Sequence, residues 1–182
     1  MITLEAFFPL SYGGNIDSEE MAYSLIKGGF EKVILNTAFY NDQAMVEKII
    51  STVGAQAVCL NIDYKRNIFG KLCFFEGGRS KNKKLNISDI IEKIQSLSPG
   101  EVIFSCIDNE GERKGYDEKI LGTLDGITSQ IVLNCGAIDH NYVINISKRF
   151  KEISFAASSS FFLSPNNKGV LITYPERDNE LQ

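Results

Sequence analysis

Short apolar runs, rich in β-branched and aromatic residues, recur along the chain: AFFPLSY, KVILN, QAVCLNI, EVIFSCI, QIVLN and ISFAASSS. Each has the length and near-continuous hydrophobicity of a strand covered on both sides. Between most of them lie segments with helical spacing. DSEEMAYSLIKGG opens on capping residues and acids, sets Met21, Leu25 and Ile26 on one face, and closes on glycine. NDQAMVEKIIST repeats the design with Met45, Val46, Ile49 and Ile50, and NISDIIEKIQSLSPG takes Asn86 or Ser88 as its cap and stops at Ser-Pro-Gly. GYDEKILGTLDG and the less regular DHNYVINISKRF complete the helical series. This alternation predicts an α/β protein with a parallel sheet of about six strands covered by helices. One interval is longer: YKRNIFGKLCFFEGGRSKNKK, between Asp63 and Glu101, reads as a small hairpin followed by a basic loop. It serves either as a solvated decoration or as a lid over a substrate.

The strands turn polar at one end. After FFPL come Ser11, Tyr12, Gly13, Gly14 and Asn15; after VIL, Asn36 and Thr37; after VCL, Asn61, Ile62 and Asp63. Ser105, Cys106 and Asp108 follow VIF, Asn134, Cys135 and Gly136 follow IVL, and Ser158 to Ser160 follow FAA. Strand starts are plainer, with Lys32 and Glu101 the charged residues there. In a parallel sheet the C-terminal ends share one face, where α/β folds bind and react. The Gly13-Gly14 pair and the helix that follows it suit an anion. Gly136 with Ser158 and Ser159 offers a second such place, and the two together suit a substrate with a phosphate at each end. A Gly-Gly pair also serves in ordinary tight turns.

Composition narrows this picture. The chain has 182 residues, 43% hydrophobic and 23% charged, which fits one domain spanning residues 1–182. A formal net charge of -4 disfavours nucleic acid or an anionic membrane as partner. No apolar run approaches the roughly 20 residues of a bilayer span, so a cytoplasmic location is expected. The four cysteines, Cys59, Cys73, Cys106 and Cys135, lack metal-ligand spacing, and His140 is the single histidine. Reduced core thiols are expected, with no metal and no cofactor.

The stretch PLSYGGNIDSEEMAYSLIKGGFEKVILNTAFYNDQAMVEKIISTVGAQAVCLNIDYKR resembles the cyclase subunit of imidazole glycerol phosphate synthase. SCIDNEGERKGYD and FAASSSFF extend the resemblance over essentially the whole chain, and the tail SPNNKGVLITYP is closer to the paralogue that accompanies lipopolysaccharide and O-antigen sugar amidation. The resemblance implies a (βα)8 TIM barrel that takes ammonia from a glutaminase partner. With it the barrel cleaves and cyclises a bis-phosphorylated aminoimidazole ribonucleotide, a lyase step of histidine biosynthesis. It assigns Asp63 the catalytic acid/base role, with Lys65 beside it. Gly13, Gly14, Asn36 and Thr37 match one phosphate half-site; Asn134, Gly136, Ala137, Ser158 and Ser159 match the other. Ser105, Glu110 and Gly111 fall where the family's sixth strand meets substrate. Lys32 and Glu101 match two members of the charged gate through which ammonia enters, and Glu31 lies where the glutaminase docks.

Three positions depart from the family's glycines: Asn15, Cys135 and Ile138 each add bulk beside an expected phosphate. The acidic pair near strand six reads Asp108 and Glu110. A (βα)8 barrel typically takes about 250 residues, and this chain begins at the family's third strand. The resemblance therefore implies that the family's first two βα units, with the aspartate that pairs with Asp63, are missing from this stretch. The expectation is an incomplete barrel with apolar edges at AFFPLSY and ISFAASSS, which invite pairing with another copy. A truncated frame or an obligate oligomer would account for this. The competing roles are cyclase, ammonia-channelling partner of a glutaminase in sugar amidation, and catalytically inactive remnant.

Overall fold

The computed structural model describes residues 8–82 and 85–157. Its strands are β1 (Ser11–Gly13), β2 (Lys32–Leu35), β3 (Val58–Arg66), β4 (Leu72–Glu76), β5 (Ser80–Asn82), β6 (Glu101–Cys106), β7 (Gln130–Asn134) and β8 (Ile153–Phe155). The α-helices are α1 (Glu19–Lys27), α2 (Thr37–Asn41), α3 (Gln43–Val53), α4 (Ile87–Leu97) and α5 (His140–Arg149). Six strands run parallel in the order β1-β2-β3-β6-β7-β8, and β4 and β5 form an antiparallel hairpin beside the end of β3. Among the described residues the path is open: β1 pairs only with β2, and β8 only with β7. The α/β sheet with helical crossovers is the expected one, without barrel closure.

Helix boundaries follow local chemistry. Ser18 caps α1 by accepting from the Met21 N–H, and Asp42 caps α3 by accepting from Met45. The alternative left open at α4 resolves to Asn86, whose side chain accepts from the Ser88 and Asp89 N–H groups. Asp89 reaches back to the Asn86 N–H and completes a capping box. α4 ends where Ser98 turns left-handed before Pro99. One expectation is corrected. GYDEKILGTLDG is no α-helix but a 3-10 turn over Glu118–Thr123. Gly122 weakens any helix there, and Asp117, the natural cap, is engaged elsewhere by Arg66 at 2.7 Å and the Tyr64 hydroxyl at 3.2 Å.

Strand alternation divides the sheet into two faces. Leu60, Ile62 and Tyr64 of β3, Val33 and Leu35 of β2, and Val102, Phe104 and Cys106 of β6 are buried against the helices. They meet Ala22, Phe39, Val46, Ile49, Ile90, Ile94 and Ile146 to form the core. Each buried Val, Leu, Ile or Phe side chain among them contributes about 1.5–3 kcal/mol. The opposite face carries the alternate residues. Registers pair Ile34 with Cys59, Asn61 with Ile103, Asp63 with Ser105, and Ser105 with Asn134. The inner face thus has an ionic end at Lys32 and Glu101, an apolar middle at Ile34, Ile103 and Val132, and a polar end.

Candidate functional site

The polar end forms one hydrogen-bonded row across four elements. The Asn134 amide donates to the Ser105 hydroxyl at 3.2 Å, and that hydroxyl donates to Asn61 Oδ1 at 2.8 Å. Asn61 Nδ2 donates to Asp63 Oδ1 at 2.9 Å, and Asn36 Nδ2 donates to Asp63 Oδ2 at 2.9 Å. Asn36 Oδ1 in turn accepts from the Gly77 N–H at 2.7 Å. Period-2 geometry places Asn61 and Asp63 on the same face of β3, and parallel register brings Ser105 and Asn134 alongside.

The row floors a cleft of about 1150 Å³. Its lining includes Gly13, Gly14, Asn36, Thr37, Asp63, Ser105, Glu110 and Asn134. The structure therefore brings together eight of the residues singled out from sequence. Gly14 has φ 117° with open space where a side chain would sit, so ligand can approach its backbone. Lys65 is directed away from the lining. Its ammonium pairs with Asp108 at 3.4 Å and lies 5.7 Å from the Phe75 ring centroid. Gly111 is exposed with φ 73°, outside the lining. Ser158 and Ser159 fall outside the described residues.

Gly136 and Ala137 are buried and lie outside the cleft lining. A Cβ on Gly136 would lie 2.5 Å from both the N and Cα of Tyr116. Tyr116 cannot easily yield: its N–H donates to the Tyr142 hydroxyl at 3.0 Å and its own hydroxyl donates to the Ala156 carbonyl at 3.0 Å. Gly136→Ala should therefore destabilise the fold by about 1–3 kcal/mol, read as a lower urea midpoint. An unchanged midpoint with weakened phosphate binding would instead place this residue in ligand contact.

The hairpin is expected from sequence as a decoration or a lid, but the residues of its turn are not singled out there. Gly77, Gly78 and Arg79 line the cleft above Asp63, between β4 and β5. A Cβ on Gly78 would sit 3.6 Å from Asp63 Oδ2, so the turn lies directly over the carboxylate. The signal was available in FFEGGRS, where a Gly-Gly pair separates two strand-like runs. Asn61 was visible as a polar residue near a strand end, and counting two back from Asp63 would have placed it on the same face.

Electrostatics define what the site can do. Burial raises the Asp63 carboxyl above its ordinary value, opposed by donors from Asn61 and Asn36. Glu110 pushes it up as well, and the Gly78 N–H pulls it down. Asp63 is thus an acid/base candidate whose charge is held by neutral amides. Burial pushes the Cys135 thiol up to about 12, which keeps it protonated at neutral pH. At the sheet's other end the Lys32 ammonium meets Glu101 at 2.5 Å, and Cys59 Sγ lies 3.6 Å from the same carboxylate. The hydrogen bond to Glu101 raises Lys32 above its ordinary value, and burial opposes it. Glu31, next to this pair, has an exposed side chain.

Comparison with known proteins fits this arrangement. The family model described as histidine biosynthesis protein matches residues 1–158. A relative from Vibrio vulnificus (strain YJ016), provisionally named imidazole glycerol phosphate synthase subunit hisF3, is 31% identical over 96% of this chain and 68% of its own length. Imidazole glycerol phosphate synthase subunit HisF of Pelodictyon phaeoclathratiforme (strain DSM 5477 / BU-1) is 32% identical over 87% of this chain and 63% of its own length. No helix among the described residues is long and apolar enough to cross a membrane. The chain belongs to the histidine biosynthesis protein family, similar to imidazole glycerol phosphate synthase subunits over about two thirds of their length.

Proposed function

We propose that this chain acts as a cyclase subunit of imidazole glycerol phosphate synthase type. It would use glutaminase-derived ammonia to cleave and cyclise a bis-phosphorylated aminoimidazole ribonucleotide. The observation that carries this reading is the amide-held Asp63 carboxylate on the floor of the cleft, beneath the hairpin turn, in a cleft that the open backbone of Gly14 also lines. A carboxylate there can shuttle a proton while the reacting ring forms. Gly13, Gly14, Asn36 and Thr37 would hold one phosphate; Ser105, Asn134 and the segment reaching Ser158 and Ser159 would hold the other. The Lys32–Glu101 pair would admit ammonia at the far mouth of the inner face, where Glu31 meets the glutaminase.

The test supplies ammonium and the bis-phosphorylated ribonucleotide to the full chain and follows release of the aminoimidazole carboxamide ribotide. Steady ammonia-dependent release supports the cyclase; its absence removes it.

One observation favours a second role, as ammonia-channelling partner of a glutaminase in lipopolysaccharide or O-antigen sugar amidation. The described cleft lining holds Asp17, Asp42, Asp63, Glu76 and Glu110 against a single cation, Arg79. That balance repels a substrate with two phosphates. Asn15 and Cys135 also occupy left-handed backbone, at φ 51° and 64°, where the resembled family carries glycine. Stimulation of a glutaminase without any cyclisation would mark this second role. Loss of both would leave an inactive remnant.

A further inference from the structure

We infer that Asn61 is a positioning residue: the one-way row Asn134–Ser105–Asn61 presents Asp63 in the cleft as a hydrogen-bond-accepting carboxylate. This deepens the cyclase reading and rests on it only for the use to which the carboxylate is put.

The direction of the row follows from donor and acceptor counts. The Ser105 hydroxyl accepts from Asn134 Nδ2, so its own proton is free to point at Asn61 Oδ1. That contact fixes the Asn61 amide with Nδ2 toward Asp63. Turned over, Asn61 would set its carbonyl oxygen against a carboxylate oxygen, two acceptors in contact. Asn36 performs the same task on the other oxygen and is itself fixed by the Gly77 N–H. Both carboxylate oxygens therefore face donors, and every donor favours the charged form. Burial and Glu110 act in the other sense. Among the described residues, the remaining ionisable groups of the cleft and its surroundings are Asp17 and Asp42, Glu76 at the end of β4, Arg79 in the hairpin turn, Tyr40 in α2 and Cys135 after β7. Lys65, next on the same face of β3, is drawn to Asp108. Asn61 thus supplies a donor that no charged neighbour among the described residues replaces.

The test titrates the Asp63 side-chain carboxyl carbon by NMR in the full chain, with Asp63→Asn assigning the signal. Asn61→Ala should raise the midpoint by about half to one pH unit, a three- to tenfold rise in proton affinity. Ser105→Ala should raise it less, and its effect should vanish in the Asn61→Ala background, because Ser105 acts through Asn61. Asn61→Asp places a second carboxylate beside Asp63 and should raise the midpoint more than Asn61→Ala does. Midpoints that do not move, or Ser105 and Asn61 effects that simply add, overturn the inference. If Asn61→Ala fails to fold, Ser105→Ala and Asn61→Asp decide it alone. The titration needs no turnover, so the two readings separate cleanly. Moving midpoints in a chain without ammonia-dependent release remove the cyclase and leave the positioning role. Release with unmoved midpoints does the reverse.

Discussion

Asp63→Asn is expected to lower the proposed ammonia-dependent turnover by about 10²–10⁴-fold, the usual worth of a placed proton-transfer group. The variant keeps the size of the side chain but cannot take a proton. It also cannot accept from Asn61 and Asn36 together, since one of its two terminal atoms is now itself a donor. The loss should fall on kcat rather than KM, because the phosphate contacts assigned to Gly14, Asn36 and Thr37 remain. Steady-state kinetics across pH give a second reading. The acidic limb of the wild-type profile should lie above the ordinary carboxylate range, since burial raises Asp63, and should disappear in the variant. Stability moves in a definable direction. A carboxyl whose folded value is raised holds its proton longer in the folded state. Stability therefore falls as pH rises through the window from the ordinary value to the raised one. Asp63→Asn should flatten that slope, so the variant gains relative to wild type between acid and neutral pH in urea titrations. An Asn variant with wild-type kcat would remove Asp63 from the chemistry.

Phe104→Ala should cost about 3–5 kcal/mol, a large part of the 5–15 kcal/mol typical of a domain. Phe104 is fully buried on β6, which pairs with β3 on one side and β7 on the other. Its ring faces the helices, where Ile62, Ile90 and Ile94 are also fully or nearly fully buried, so truncation opens a cavity that packed neighbours cannot close. The urea midpoint should drop with little change in m. Ile103→Ala is the matched control, because Ile103 points to the half-exposed inner face and lines the cleft. It should cost clearly less. Equal losses at the two positions would mean that the faces of the sheet have been assigned the wrong way round.

The alternation of strands and helices was legible because each element carries its own signal. KVILN and EVIFSCI became β2 and β6 with little adjustment, and NISDIIEKIQSLSPG contained the whole capping box of α4. GYDEKILGTLDG failed because its pattern was judged alone: the aspartate that would cap a helix is claimed by Arg66, distant in sequence, through a 2.7 Å contact. The hairpin was legible as a hairpin, with a lid as one of its two readings, yet which turn residues lie over Asp63 was not, since no local pattern reports which strand end a turn will cover. Gly136 shows the same limit. Its glycine was legible as a requirement for close approach, but the approaching group among the described residues is the Tyr116 backbone, brought there from another loop.

The sequence by itself determined the βα alternation, the face on which polar residues gather, and the family, through motifs that each span a few residues. Tertiary structure alone decided that Asn36, Asn61, Ser105 and Asn134 join Asp63 in one directed row. It also set Lys65 against Asp108 outside the cleft. The reason is physical. Propensity and periodicity act over neighbouring residues, whereas a hydrogen bond between strands depends on register, and register is fixed only when the whole sheet packs against its helices.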